Sequence, residues 1–139
     1  MQDSLSVYCD GGARGNPGPA AAAFVVEKNG KVVHKESKYL GRATNNEAEY
    51  AGAILGLEWV SKNSTGDYQE IVFVLDSELV ANQLSGNFKV KNENLRNRYH
   101  AAKTLEKKIP VRVIYKTVSR TRNKIADFLV NKELDENSH

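Results

Sequence analysis

Four carboxylates in this 139-residue chain stand where carboxylates are costly. Asp10 follows the apolar run Leu5–Cys9, Asp76 follows Ile71–Leu75, and Asp127 interrupts Ile125-Ala126 and Phe128-Leu129-Val130. Glu49 lies in a segment whose period predicts a helix from Thr44 to about Lys62. Thr44 and Glu47 have the spacing of a capping box, which gives Glu47 a structural task. Two residues further on, a helix has turned by roughly 200°. Glu49 therefore joins the stripe Gly52, Ala53, Gly56 and Val60, which is small and apolar and must pack against something. A charge on such a stripe needs a partner or a metal ion.

Taken singly, each residue has a structural explanation. Asp10 suits a turn before Gly11-Gly12, Asp76 an N-cap, Asp127 a helix N-terminus, and Glu49 an ion pair. Taken jointly, they have a chemical one. In an open α/β sheet, ligands gather at the carboxyl ends of parallel strands, and Asp10 and Asp76 each end a predicted strand. Four converging carboxylates repel one another unless some protonate or divalent cations neutralise them. An all-oxygen set with no companion Cys or His suits Mg²⁺ or Mn²⁺, not Zn²⁺. Two such ions, about 3.5–4 Å apart, can clamp the attacking and leaving oxygens of a phosphodiester.

The elements that must position these residues follow from periodicity and turn signals. Strands are expected at Leu5–Asp10, Ala20–Lys28 and Lys31–Leu40, the last two joined by the hairpin signal Asn29-Gly30. Gly11-Gly12 and residues 15–19 read as a turn-rich loop. After the helix from Thr44, residues 63–67 break the chain and Ile71–Leu75 reads as a strand buried on both faces. A short helix to about Leu84, a polar helix over 92–108, a strand over Val111–Val118 and a helix from Asn123 to about Leu134 complete the order. The fold class is α/β: a mixed five-stranded sheet, three antiparallel strands then parallel ones, flanked by helices.

Composition fits one domain over residues 1–139, with 135–139 a flexible tail. No apolar run approaches the roughly 20 residues of a membrane span, and no signal peptide is evident. One cysteine, Cys9, precludes an intramolecular disulfide. A cytoplasmic monomer is expected. The net charge of +3 conceals an asymmetry: residues 1–88 carry 7 Lys/Arg against 11 Asp/Glu, residues 89–139 carry 13 against 6. A basic half is either a solvated face or a surface for a polyanion.

Four motifs add a resemblance. C-D-G-G-A-R-G-N-P-G-P at 9–19, T-N-N-E-A-E-Y at 44–50, L-D-S-E-L-V at 75–80 and N-K-I-A-D-F-L at 123–129 occur in this order on this element pattern. The chain resembles type 1 ribonuclease H, enzymes that cut the RNA strand of RNA–DNA hybrids and leave 5′-phosphate and 3′-hydroxyl ends. The resemblance implies a ribonuclease H-like fold, two Mg²⁺ or Mn²⁺ ions on Asp10, Glu49, Asp76 and Asp127, and contacts to the hybrid from Asn16, Asn45 and Asn46. Those asparagines also suit turns and caps.

The sequence departs from the family in three places. Thr117 stands where many members carry a loop histidine; V-S-R-T-R-N-K-I-A-D at 118–127 resembles a largely archaeal and bacterial subset with an arginine nearby, which makes Arg120 the candidate for that helper role. A guanidinium can hold a phosphate but cannot act as a base near neutral pH. Glu78 replaces a common glutamine. Segment 85–92 is too short for the basic protrusion of some members, so the basic helix 89–108 and strand-loop 112–124 are expected to substitute. The alternatives are a non-catalytic nucleic-acid-binding module and a related nuclease with another substrate. His34, His100 and His139 read as surface residues, and Cys9 and Trp59 as core.

Overall fold

Alternation along the first strand sends its odd residues to one side and its even residues to the other, and the whole molecule is layered on that division. The computed structural model describes residues 3–63 and 68–137. Its elements are β1 (Leu5–Ala13), β2 (Gly18–Lys28), β3 (Lys31–Ala43), α1 (Asn45–Asn63), β4 (Glu70–Leu75), α2 (Glu78–Leu84), α3 (Glu93–Glu106), β5 (Arg112–Thr117) and α4 (Lys124–Glu136), with a single 3₁₀ turn at Arg120–Arg122. The expected break over 63–67 falls largely outside the described residues.

The sheet order is β3-β2-β1-β4-β5. β1, β2 and β3 form an antiparallel meander, whereas β1–β4 and β4–β5 are parallel, as the element order predicts. On one face Val7, Cys9, Phe73 and Leu75 pack with Tyr50, Leu57 and Val60 of α1, Leu84 of α2, and Leu95 and Ala102 of α3. On the other face, α4 lays Val130 and Leu134 over Ala21 and Ala23. Cys9 is fully buried in the larger core, opposite to its neighbour Asp10. Trp59 lies at the edge of this core, where it stacks on His34 at 4.8 Å. That stacking explains why His34 is half-buried although its sequence context suggests the surface.

β1 runs three residues past Asp10, through the Gly11-Gly12 expected to be a turn, because both glycines pair with Ala22 and Ala21 of β2. Gly11, and Gly52 opposite it on α1, are glycines for want of room. A Cβ on Gly11 would stand 2.0 Å from the Ala48 carbonyl oxygen, and one on Gly52 would stand 2.5 Å from the Asp10 carbonyl oxygen. Helix α1 thus rests its first turns directly on the β1 backbone. At the other end of the chain, α4 runs to Glu136 and leaves less tail than expected, with Asp135 paired to Arg14 at 2.7 Å.

Gly52→Ala forces helix and strand apart and should destabilise the protein by about 1–3 kcal/mol, the usual cost of overpacking. Urea unfolding followed by circular dichroism measures it, and a change within about 0.5 kcal/mol, as for an ordinary surface substitution, would contradict the close approach.

Candidate active site

The capping box forms as the spacing requires. Glu47 N–H donates to Thr44 Oγ1 at 3.1 Å, and Thr44 N–H donates to Glu47 Oε1 at 2.9 Å. Glu47 also pairs with Arg98 of α3 at 3.2 Å, and its bonds from Thr44 hold its carboxyl below the usual range. Glu49 lies on the buried side of α1 with Gly52, Ala53, Gly56 and Val60. It is only 6% exposed, and its Oε2 has no hydrogen-bond partner.

The β1–β4 ladder ends at Tyr8 and Val74; two residues beyond each stand Asp10 and Asp76. The N-cap role suggested for Asp76 belongs instead to Ser77, whose Oγ accepts from Val80 N–H at 3.2 Å. Likewise Asp10 is a strand residue, not a turn residue. Both aspartates are thereby released from local structural tasks. One oxygen each of Asp10, Glu49 and Asp76 lie within 4.8 Å of one another, a group able to hold a metal ion. Asp127, in the first turn of α4, lines the same open cleft of about 480 Å³.

Burial and mutual repulsion set the electrostatics. Burial first, then the charge of Asp76, pushes the Asp10 carboxyl up to about 7; bonds from Glu49 and from Gly11 N–H oppose the shift only in part. Glu49 is pushed well above its usual value by burial and by the charges of Asp10 and Asp76. Two full charges 4.8 Å apart repel by about 3.5 kcal/mol at an effective dielectric of about 20.

Arg120 is the one cation paired with this cluster among the described residues. Its Nε lies 3.4 Å from Asp76 Oδ2, close enough for an ion pair but without hydrogen-bond geometry, since that oxygen has no hydrogen-bond partner. The carboxylates, Asp76 foremost, strengthen its hold on its proton. Thr117 ends β5 and shares a neighbouring hollow with Glu78, Ser119 and Arg120.

Asn45 and Asn46 line the cleft, whereas Asn16 lies beside it with Asn46 and Thr44. Asn16 Oδ1 accepts from Asn45 N–H at 3.0 Å, and Asn45 Oδ1 accepts from Ala13 N–H at 2.9 Å. The two amides tie the β1–β2 loop to the start of α1, which is the turn-and-cap role their types suggest.

Sequence reasoning did not single out three further residues around the cleft. Asn131, one helical turn after Asp127, donates to the Asp127 carbonyl at 3.0 Å. Arg14 reaches Asn131 at 3.5 Å and Asp135 at 2.7 Å. Asn123 is 2% exposed and donates to the Cys9 carbonyl at 2.8 Å, which pins the start of α4 beside Asp10. Of these, Asn123 and Arg14 lie in quoted motifs, N-K-I-A-D and C-D-G-G-A-R-G-N-P-G-P, whereas Asn131 left no sequence trace.

Because the native state raises the Asp10 and Glu49 values, protonation stabilises it. Without divalent cations, the stability that these two groups contribute should be present in full at acid pH and be lost as pH rises through about 7, where Asp10 ionises. Asp10→Asn and Glu49→Gln should flatten this fall, and Glu49→Gln should match or exceed the parent in stability at pH 7. Glu47→Gln should cost about 1 kcal/mol through the cap. Thermal melts from pH 4 to 9 in chelator test all three; identical behaviour of the two glutamates would contradict their opposite placement on α1.

The chain matches the family described as reverse transcriptase-like over residues 8–133. It is 40% identical over 131 residues to the bifunctional protein Rv2228c of Mycobacterium tuberculosis, covering 93% of this chain and 35% of that protein. It is 38% identical over 133 residues to ribonuclease HI of Halobacterium salinarum, covering 95% of this chain and 65% of the relative. It thus spans between a third and two thirds of the length of these curated relatives. In structure it superposes on LC11-RNase H1, solved in complex with an RNA/DNA hybrid, with a TM-score of 0.89 at 33% identity, over 96% of this chain and 98% of the other. With this degree of likeness over nearly its whole length, the chain belongs to the reverse transcriptase-like family, among the type 1 ribonucleases H.

Proposed function

We propose that this chain hydrolyses the RNA strand of RNA–DNA hybrids, as a Mg²⁺- or Mn²⁺-dependent endonuclease leaving 5′-phosphate and 3′-hydroxyl ends. The observation that carries the reading is the cluster of Asp10, Glu49 and Asp76, whose oxygens converge within 4.8 Å while Glu49 Oε2 and Asp76 Oδ2 lack hydrogen-bond partners. Protein interiors do not leave carboxylate oxygens unpaired without compensation. Hard oxygen donors at this spacing suit Mg²⁺ or Mn²⁺.

Asp10, Glu49, Asp76 and Asp127 would hold two such ions, which supply Lewis-acid stabilisation of the attacking and leaving oxygens when bound. The remaining residues bind and orient. Asn45 and Asn46 face the cleft with amides suited to ribose 2′-hydroxyls, the feature that separates RNA from DNA. Asn16 holds Asn45 in place through its backbone N–H. Arg120 offers a permanently charged donor for a phosphate oxygen. The basic residues of 89–124 extend the surface available to the polyanion. The relative solved with a hybrid supports this choice of substrate. A non-catalytic binding module, suggested by Thr117 and Glu78, gives no reason for three converging carboxylates opposed by a single arginine.

The full chain with a labelled RNA–DNA hybrid should cut the RNA strand in Mg²⁺ or Mn²⁺ and not in chelator. Asp10→Asn should lower the rate at least about 100-fold, the scale of losing one essential electrostatic group, with an unchanged circular dichroism spectrum. Double-stranded RNA and DNA run beside the hybrid define specificity. Failure of folded protein to cut with either metal would overturn the proposal, and cleavage of DNA in preference to the hybrid would replace it with the related-nuclease reading.

A further inference from the structure

The contact between Arg120 and Asp76 is lopsided. The Asp76 side chain is 6% exposed and the Arg120 side chain 76% exposed. Separating them therefore costs the arginine little, since its guanidinium is already largely hydrated, whereas the carboxylate would be left buried without a counter-charge. The pair also lacks a directional hydrogen bond. Such a contact holds only until something better neutralises Asp76. The oxygen involved, Asp76 Oδ2, belongs to one of the three carboxylates that converge into a potential metal site.

We propose that Arg120 is an exchangeable counter-ion of the carboxylate cluster: its guanidinium competes with a divalent cation for Asp76 and, once displaced, is released to a substrate phosphate. This inference rests on the metal-dependent reading above. Three features of the chain support an exchange rather than a fixed ion pair. The backbone under Arg120 is held, with Asn123 N–H bonded to the Arg120 carbonyl and Arg122 N–H to the Ser119 carbonyl, each at 3.0 Å. Movement is therefore confined to the side chain. Arg120 borders both the carboxylate cleft and an adjoining hollow lined by Glu78, Thr117, Val118 and Ser119 and edged by Asp76, so a guanidinium displaced from Asp76 Oδ2 has a second place to lie, beside Glu78. Two other arginines are engaged elsewhere, Arg14 with Asp135 and Arg98 with Glu47, and Arg122 lies outside the cleft.

Reciprocity follows from thermodynamics. If a metal ion frees Arg120 for phosphate, then phosphate, by drawing Arg120 away, raises the affinity for metal by the same factor. Metal ion and hybrid would then favour one another's binding, and the site would take up metal most readily when substrate is present.

Isothermal titration of the full chain with Mn²⁺, in the absence of nucleic acid, tests the competition. Arg120→Ala and Arg120→Gln should bind Mn²⁺ about five- to tenfold more tightly than the parent, within the range of ordinary coupling between sites. Both should also gain more in melting temperature when Mn²⁺ is added. Arg122→Ala removes a neighbouring charge outside the cleft and should bind Mn²⁺ as the parent does. In the cleavage assay the Arg120 variants should need less metal for half-maximal rate and more hybrid for half-saturation. Equal or weaker Mn²⁺ binding by both Arg120 variants would overturn the proposal, as would an equal gain in Arg122→Ala, which would reduce the effect to net charge. Parent protein that binds Mn²⁺ but fails to cut the hybrid would sink the proposed activity while leaving the competition to be judged from the isotherms.

Discussion

The direct seating of α1 on β1 is the constraint from which the rest of the molecule follows. Gly11 and Gly52 remove the two Cβ atoms that would hold helix and strand apart. The first turns of α1 then bring Glu49 over the end of the strand that carries Asp10. Parallel pairing of β1 with β4 adds Asp76 two residues past the last paired position, and α4, pinned by Asn123 to the Cys9 carbonyl, adds Asp127. The result is a concentration of like charge that the fold neutralises only in part, through Arg120 beside Asp76. The favourable packing of Val7, Phe73, Leu57 and Val60 further along the same helix–sheet interface offsets that repulsion, as the many small gains of a core offset any locally strained site.

The cluster stays available because ordinary local needs are met by other residues. The orphan amides at the start of α1 are served by Thr44 and Glu47. Those of α2 are served by Ser77. Asn16 and Asn45 join the β1–β2 loop to α1. In the first two cases a carboxylate of the cleft stands one or two residues from a group that does the structural work: Glu49 from Glu47, Asp76 from Ser77. This division separates the two uses of acidic and polar residues that a motif read alone would merge.

Much of this was legible before any coordinates. Glu49 was distinguishable from Glu47 because helical rotation is fixed at 100° per residue, and Asp10 was placed beside Asp76 because parallel strands end together. The limits of legibility were also physical. Gly11-Gly12 looked like a turn, since sequence shows a glycine's freedom but not the helix that presses on it. The assignment of the cap to Asp76 failed because Asp and Ser are comparable N-caps, and only the chain path chose Ser77. Arg14 and Asn131 were missed because their meeting joins residues 117 positions apart, a contact that no local pattern encodes. Trp59 packs against the core as its size suggests, but at the margin, where it also stacks on His34.

Charge distribution gives the cleft its direction. The basic half of the chain begins at Lys89, after all but one of the four carboxylates, yet the sheet order folds β5 and the Arg120 turn back beside β4. A strongly acidic point is therefore bordered by basic chain in space although the two are separated in sequence. A polyanion attracted by residues 89–124 would meet repulsion at the cluster itself unless cations lay between. On the proposed reading, that opposition would give metal ions an electrostatic role beyond any chemistry they supply: they would convert a repulsive spot beside basic chain into a place able to hold a phosphate. Arg120, already paired with Asp76 at this border, is the residue on which the two fields meet.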